Sequence, residues 1–326
     1  MNLSAKTQRK FAQVASQLSR RLALTGFDAE TLGDQIQGRA VEHARALAAY
    51  DLRVRFLGGM PPAPVAAAAA TGASPSSESA QDGTSSEDCW SGFARQFSAL
   101  APLPGFAGPI SYDAILDGAG EGAVIDALAR SELFVFAGWD RLTRFTEMLE
   151  AMLDRAFLHL GDLTPRVFVF DLNDDEQRPR HELYTALQLV RRYQARGHAI
   201  LSLGPKEALR AAKALGLNAW EAEDLAGRRS GAQRLRLELQ VGAVAISGPE
   251  GCALARREDA HAVGFNPPEP DLEMAALDAA EAAFNATLGI ARLVDLDVEA
   301  SLECAAYARQ QWVSDKRFVA RDDFMM

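Results

Sequence analysis

From residue 120 onward the apolar positions follow two different periods. Short dense runs, LFVFAGW (133–139), RVFVFDL (166–172), HAILSL (198–203), VGAVAIS (241–247) and GCALARR (251–257), predict buried strands, the last two as neighbours. Between them, apolar residues recur every three or four positions. This predicts helices over GEGAVIDALARS, over 141–160, over PRHELYTALQLVRRYQARG with Gly197 as its C′ glycine, and over PKEALRAAKALGL with Pro in its first turn. A further helix precedes residue 241, and two more, at about 272–293 and 298–312, close the chain. Strands alternating with helices of this length imply right-handed βαβ units and a mostly parallel sheet covered on both faces. Ligands of such sheets bind at the strand C-termini. The chemistry is therefore expected in the loops after residues 27, 57, 138, 172, 203 and 247, and before the helix at 279.

The first third is less regular. Residues 4–21 carry a helical stripe of Phe11, Val14 and Leu18, continued by Leu22. LALTGF (22–27) and LRVRFL (52–57) read as strands, with a helix at about 38–50 between them. An Ala-rich stretch follows GGMPP, and from Ser74 to Asp88 almost no apolar residue remains. That segment has too little surface to bury against its chain entropy, which predicts a mobile loop at 74–88.

Composition narrows the function classes. The 326 residues are 48% hydrophobic and 24% charged, and the net charge is −10. An acidic surface of this kind disfavours nucleic acid and anionic membranes as partners. No apolar run reaches the roughly 20 residues of a membrane span. The basic N-terminal segment lacks the apolar core of a signal peptide. Cys89, Cys252 and Cys304 are isolated from one another and from the five histidines, so no dedicated metal site is expected; sparse cysteines fit a reducing, cytoplasmic setting.

Several segments, taken in order, resemble the PfkB/ribokinase family of carbohydrate kinases. GFDAETLGD (26–34) is similar to a GFDxxxD opening, and FVFDLNDDEQRPR (168–180) to FFDLADPxxRS. LSLGPKEALRAAKALGL (201–217) is similar to LxLNxxEAxxxAxxLG, AISGPEGCAL (245–254) to TxGxxGAL, and AAFNATLGIARLVDLDVEASLECAAYA to the family's C-terminal helices after GD. The resemblance implies a ribokinase-like three-layer α/β/α sandwich in a single domain over 1–326. Residues 73–118 form an atypical insert in place of the lid through which family members often form homodimers. It implies ATP with Mg²⁺ as cofactors and a sugar or nucleotide ligand as partner. Family chemistry is phosphoryl transfer, using an Asp as base and a glycine-rich anion nest at a helix N-terminus.

Read through that resemblance, the catalytic motif is replaced. The base position falls on Ala282 and the nest glycines on Ala279 and Glu281. MAALDAAEAAFN has no glycine and should wind as continuous helix. Asp278, one turn earlier on the same face, would serve as a substitute base only after a shift of about 6 Å, and Glu281 points a quarter turn away. On the sugar side Gly58 and Gly59 keep the double glycine, but Ala63 stands where an Asn would grip the sugar. The Mg²⁺-organising NxxE reads Gly204-Pro205-Lys206-Glu207.

The remaining candidates each have a structural alternative. Asp28 and Asp34 are candidate sugar contacts or turn caps. Gly248 and Gly251, with Asn285, are candidate nucleotide contacts, or glycines that a tight turn needs. Asp171, Asn173 and Glu207 lie in the phosphate and Mg²⁺ region, where helix capping would equally explain them. Trp139 is a ligand stack or a structural Trp. Three functional readings follow: a pseudokinase or ligand-binding remnant, an active kinase with displaced residues, and a regulatory or scaffold protein working through the acidic loop 74–88 or the helical surface.

Overall fold

The computed structural model describes Ala46 and residues 111–323 except 114–115, 117–120, 130, 138, 140–143, 161–165, 173–177, 219, 221–223, 258, 266–271 and 320–322. The expected elements between residues 4 and 57 (Ala46 apart), the loop 74–88 and most of the insert at 73–118 lie outside the described residues.

The elements run α1 (Glu121–Ala129), β1 (Leu133–Ala137), α2 (Phe145–Ala151), β2 (Val167–Asp171), α3 (Arg180–Tyr193), β3 (His198–Leu203), α4 (Pro205–Ala214) and α5 (Leu225–Leu239). They continue with β4 (Ala243–Gly248), β5 (Gly251–Arg256), β6 (Asp259–Gly264), α6 (Met274–Leu293) and α7 (Val298–Asp315). The six strands form one sheet in sequence order. β1 to β4 pair in parallel, and β5 and β6 add as antiparallel strands.

Side-chain alternation along the strands sorts the core into two layers. Phe134, Phe136, Phe168, Phe170, Leu201, Val244 and Ile246 face α2 to α5. Val167, Val169, Ile200, Ala243, Ala245, Cys252 and Leu254 face Phe284 and Leu288 of α6 and Leu302, Ala305 and Ala306 of α7. The result is the α/β class expected from the pattern, a sheet with helices on both sides. The first layer is held by aromatic contacts. Tyr193 packs edge-on against Phe136, Phe157, Phe168 and Phe170 at 5.2–5.7 Å between centroids. Its buried hydroxyl donates to the Leu149 carbonyl at 2.8 Å. This satisfies the polar end of a ring that otherwise contributes apolar area.

Local departures from the sequence pattern have local causes. β6, DAHAVG, was not anticipated, because Asp259 and His261 break its apolar run and none of its residues is fully buried. The helix expected over 141–160 starts at Phe145 and widens into a π turn over Met152–Ala156. Gly197 is not a left-handed C′ residue. The helix before it ends in a 3₁₀ turn over Gln194–Arg196, and Gly197 is extended, with φ 167°. What requires glycine there is space, since a Cβ would lie 2.4 Å from the Arg166 carbonyl oxygen and 2.8 Å from the Phe168 ring.

Candidate functional site: a buried polar rim at the strand C-termini

Helix α6 runs antiparallel to the parallel strands. Gly289 in its second half sits against Leu133 and Val169, a Cβ there lying 2.8 Å from Leu133. One turn earlier, the Asn285 side-chain amide donates to Asp171 Oδ2 at 3.2 Å, at the C-terminal end of β2. The N-terminal half of α6 therefore projects past the strand ends, and Asp278, seven residues before Asn285, lies about 10 Å further along the axis.

Alternation brings a row of polar side chains to the same face. Asp171 ends β2, Ser202 pairs with it in β3, and Ser247 lies near the end of β4. Each falls on the side of Val169, Ile200 and Ala245, toward α6. With Asp278, Glu281 and Asn285 from α6 and Arg309 from α7 they make a polar rim in which no residue is more than 5% exposed. Buried polar groups at this density are costly unless satisfied. Asp171 and Asn285 satisfy one another in part. Glu281 and Arg309 form an ion pair at 2.5 Å across the α6–α7 interface, with side-chain exposures of 7% and 0%. The Ser247 hydroxyl is buried without a hydrogen-bond partner among the described residues.

The segment that aligns with the glycine-rich nest lies inside α6. The helix begins at Met274 and runs unbroken to Leu293, with the Leu277 N–H already bonded to the Glu273 carbonyl at 2.9 Å. In a helix of this span the N–H groups of residues 279–282 donate to carbonyls four residues back, so none is left to cradle an anion. Ala282 is fully buried in an apolar cluster with Ala46, Ala286 and Ile290. Glu281 points into the interface with α7, where Arg309 binds its carboxylate. Asp278 is 4% exposed.

The other candidates are held by local structure. Gly248 and Gly251 are opposite each other across the two-residue β4–β5 turn. Gly251 has φ +146°, and a Cβ there would come 2.3 Å from the Val263 carbonyl oxygen, so the turn demands glycine whatever it binds. A Cβ on Gly248 would meet Pro205 at 2.9 Å. The Glu207 carboxylate accepts from the Gly204 N–H at 2.7 Å and so caps α4. Trp139 is fully buried, its indole N–H donating to Thr146 Oγ1 at 2.9 Å, with the Arg178 guanidinium 4.4 Å from the ring centre. A ligand stack on that face would have to displace Arg178. Asp28, Asp34, Gly58, Gly59 and Asn173 lie outside the described residues.

Ser202, Ser247 and Arg309 were not singled out from the sequence. The serines carried a signal, since period-two alternation places each on the α6 face at a strand end. Arg309 carried none, because its partner is 28 residues away on another helix.

No family model matches the chain, and no curated protein matches it. Among solved structures, the fructokinase from Xylella fastidiosa with bound ATP is 14% identical, with 88% of each chain covered and a TM-score of 0.49. Phosphofructokinase-2 from Escherichia coli, in complex with substrates and products, is 12% identical, with a TM-score of 0.41 over 67% of this chain. A ribokinase from Thermotoga maritima is 17% identical over 62% of this chain, with a TM-score of 0.41. An adenosine kinase from Trypanosoma brucei brucei and a pyridoxal kinase from Bacillus subtilis are also among the solved structures it is similar to. The match spans 62% of the phosphofructokinase-2 chain and 58% of the ribokinase chain. Among the described residues no helix is long and apolar enough to cross a membrane.

Proposed function

We propose that this chain is a single ribokinase-like domain that binds a small polar ligand at the strand C-termini and has lost phosphoryl transfer, a pseudokinase or ligand-binding remnant. The observation that carries this reading is the uninterrupted helix through Ala279–Ala282. Phosphoryl transfer needs free N–H groups aimed at developing charge and a base within reach of the attacking hydroxyl. A continuous helix consumes those N–H groups, a methyl group occupies the base position, and the adjacent carboxylate is neutralised by Arg309.

Mg²⁺-ATP is a poor fit to the described residues. Glu207, the carboxylate at the position that would organise Mg²⁺, is engaged in capping α4. The ligand-binding half of the proposal rests on the polar rim, where Asp171, Asn285 and Ser247 present hydrogen-bonding groups suited to a polyol.

The test is a thermal-shift and calorimetric titration with Mg²⁺-ATP and with ADP, then a panel of sugars, followed by ATP-turnover assays with every sugar that binds. A ligand that binds one state stabilises it by RT ln(1 + [L]/Kd), so millimolar ligand reveals even a weak site. Sugar binding without ATP turnover is the expected result. Turnover that disappears in Asp278→Asn would overturn the loss of catalysis and identify Asp278 as the displaced base. No response to any sugar or nucleotide would leave the scaffold reading.

A further inference from the structure

The trough beside β6 stands apart from the strand-end site and does not depend on its function. Among the described residues β6 is the last strand of the sheet, paired along its length with β5 and with no other strand. None of its residues is buried, whereas β2 and β4 are buried throughout. Helices α5 and α7 both pack against β6, so the edge that the described residues leave unpaired forms the floor of a trough walled by two helices. A cleft of about 400 Å³ occupies it, with Arg229 on the α5 wall, Asp259 and His261 on the strand, and Asp297, Val298 and Glu299 on the α7 wall. Edge strands are ordinarily blunted by proline, lysine or a bulge. DAHAVG has no proline or lysine, and its register with β5 runs without a bulge.

We infer that β6 accepts an extended segment of a partner protein as a further strand, and that this segment is basic. Main-chain hydrogen bonds to the open edge would supply affinity, and alternate side chains would supply specificity. The cleft sets three carboxylates, Asp259, Asp297 and Glu299, against one guanidinium, Arg229. The row of partner side chains turned toward α7 meets Glu299, which lies 3.8 Å from His261 Nε2, and Asp297, whose Oδ1 also caps α7, and selects Lys or Arg. The alternate row meets Arg229 and selects acidic or amide side chains. The six residues of β6 offer an edge about 20 Å long. A second copy of this chain would bring the same carboxylates edge to edge, so the charge disfavours self-pairing.

The experiment is a random-peptide display selection against the full chain, with counter-selection against the double variant Asp259→Lys/Glu299→Lys. Glu299 is 65% exposed and Asp259 lies on the surface, so the variant should keep the fold, which its circular dichroism spectrum checks. Enriched peptides should carry Lys or Arg at alternate positions and lose at least about tenfold in affinity for the double variant. They should also lose binding when alternate peptide nitrogens are methylated, which removes the strand-pairing N–H groups. Failure to enrich any peptide over the double variant would overturn the inference, as would equal binding of the methylated peptide. A concentration-dependent dimer abolished by the same substitutions would replace the foreign segment with a second copy.

Discussion

Removal of one partner of the Glu281–Arg309 ion pair should strongly destabilise the C-terminal helix pair. The guanidinium and carboxylate are 2.5 Å apart, and the side chains are 0% and 7% exposed. At an effective dielectric of about 20, their gross attraction is on the order of 6–7 kcal/mol. Most of that offsets the desolvation of two ions, so the pair should be worth little relative to apolar residues of the same shape. The single change is different. Glu281→Ala removes the carboxylate that pairs with this buried guanidinium, which typically costs about 3–5 kcal/mol. For a domain of this size that corresponds to a fall in Tm on the order of 10 °C. Urea unfolding of wild type, Glu281→Leu, Arg309→Met and the double variant Glu281→Leu/Arg309→Met closes a double-mutant cycle, with Glu281→Ala measured beside it. Each single variant should lose about 3–5 kcal/mol and the double variant no more than about 1 kcal/mol. A loss under about 1 kcal/mol in Glu281→Ala would refute the reasoning, because it would mean that solvent or another group compensates Arg309 when Glu281 is gone.

Ala282→Asp, which restores the carboxylate that the family resemblance expects, should destabilise by about 3–5 kcal/mol because Ala282 sits in an apolar cluster and not at an open site; chemical denaturation measures this, and a neutral outcome would place the side chain in water. Burial, reinforced by Arg292, Arg256 and Arg257, lowers the His198 pKa from its usual value to about 3. The unfolded chain therefore binds a proton that the folded chain refuses between about pH 6.5 and 3, so stability is full above that window and falls as pH drops through it, by up to about 1.4 kcal/mol per unit. His198→Asn should flatten this slope in a pH series of urea melts, and an unchanged slope would move the cause to other groups. Cys252 and Cys304 are buried, and burial pushes the Cys304 thiol well above its ordinary range. Both should resist a thiol reagent in the native protein and react on unfolding, as mass spectrometry of labelled peptides would show.

Much of the architecture was legible from period alone. Runs such as RVFVFDL are apolar on both faces because β2 is covered by helices on each side, and that pattern survives without tertiary information. Capping was legible as well. Asp297 ahead of α7 accepts from the Ala300 N–H at 2.8 Å, and Pro205 opens α4. The absence of glycine from MAALDAAEAAFN was enough to anticipate an unbroken helix there, because every residue in it tolerates the α conformation. β6 was hidden because an edge strand need not be uniformly apolar, and its pairing is decided by β5.

For the candidate site, the sequence by itself determined which chemical groups are present and which the family pattern lacks, since that is a matter of identity and order. It also determined that Asp171 and Asn285 each stand at an element's end or face, since spacing sets that. Only the tertiary structure decided that these two meet across 114 residues, that Glu281 is claimed by Arg309, and that Gly197 and Gly251 are held by close approach. The physical reason is one of range. Helix winding and strand alternation depend on neighbours within a few residues, whereas partner choice depends on how layers stack, and a side chain's nearest charge can come from any part of the chain.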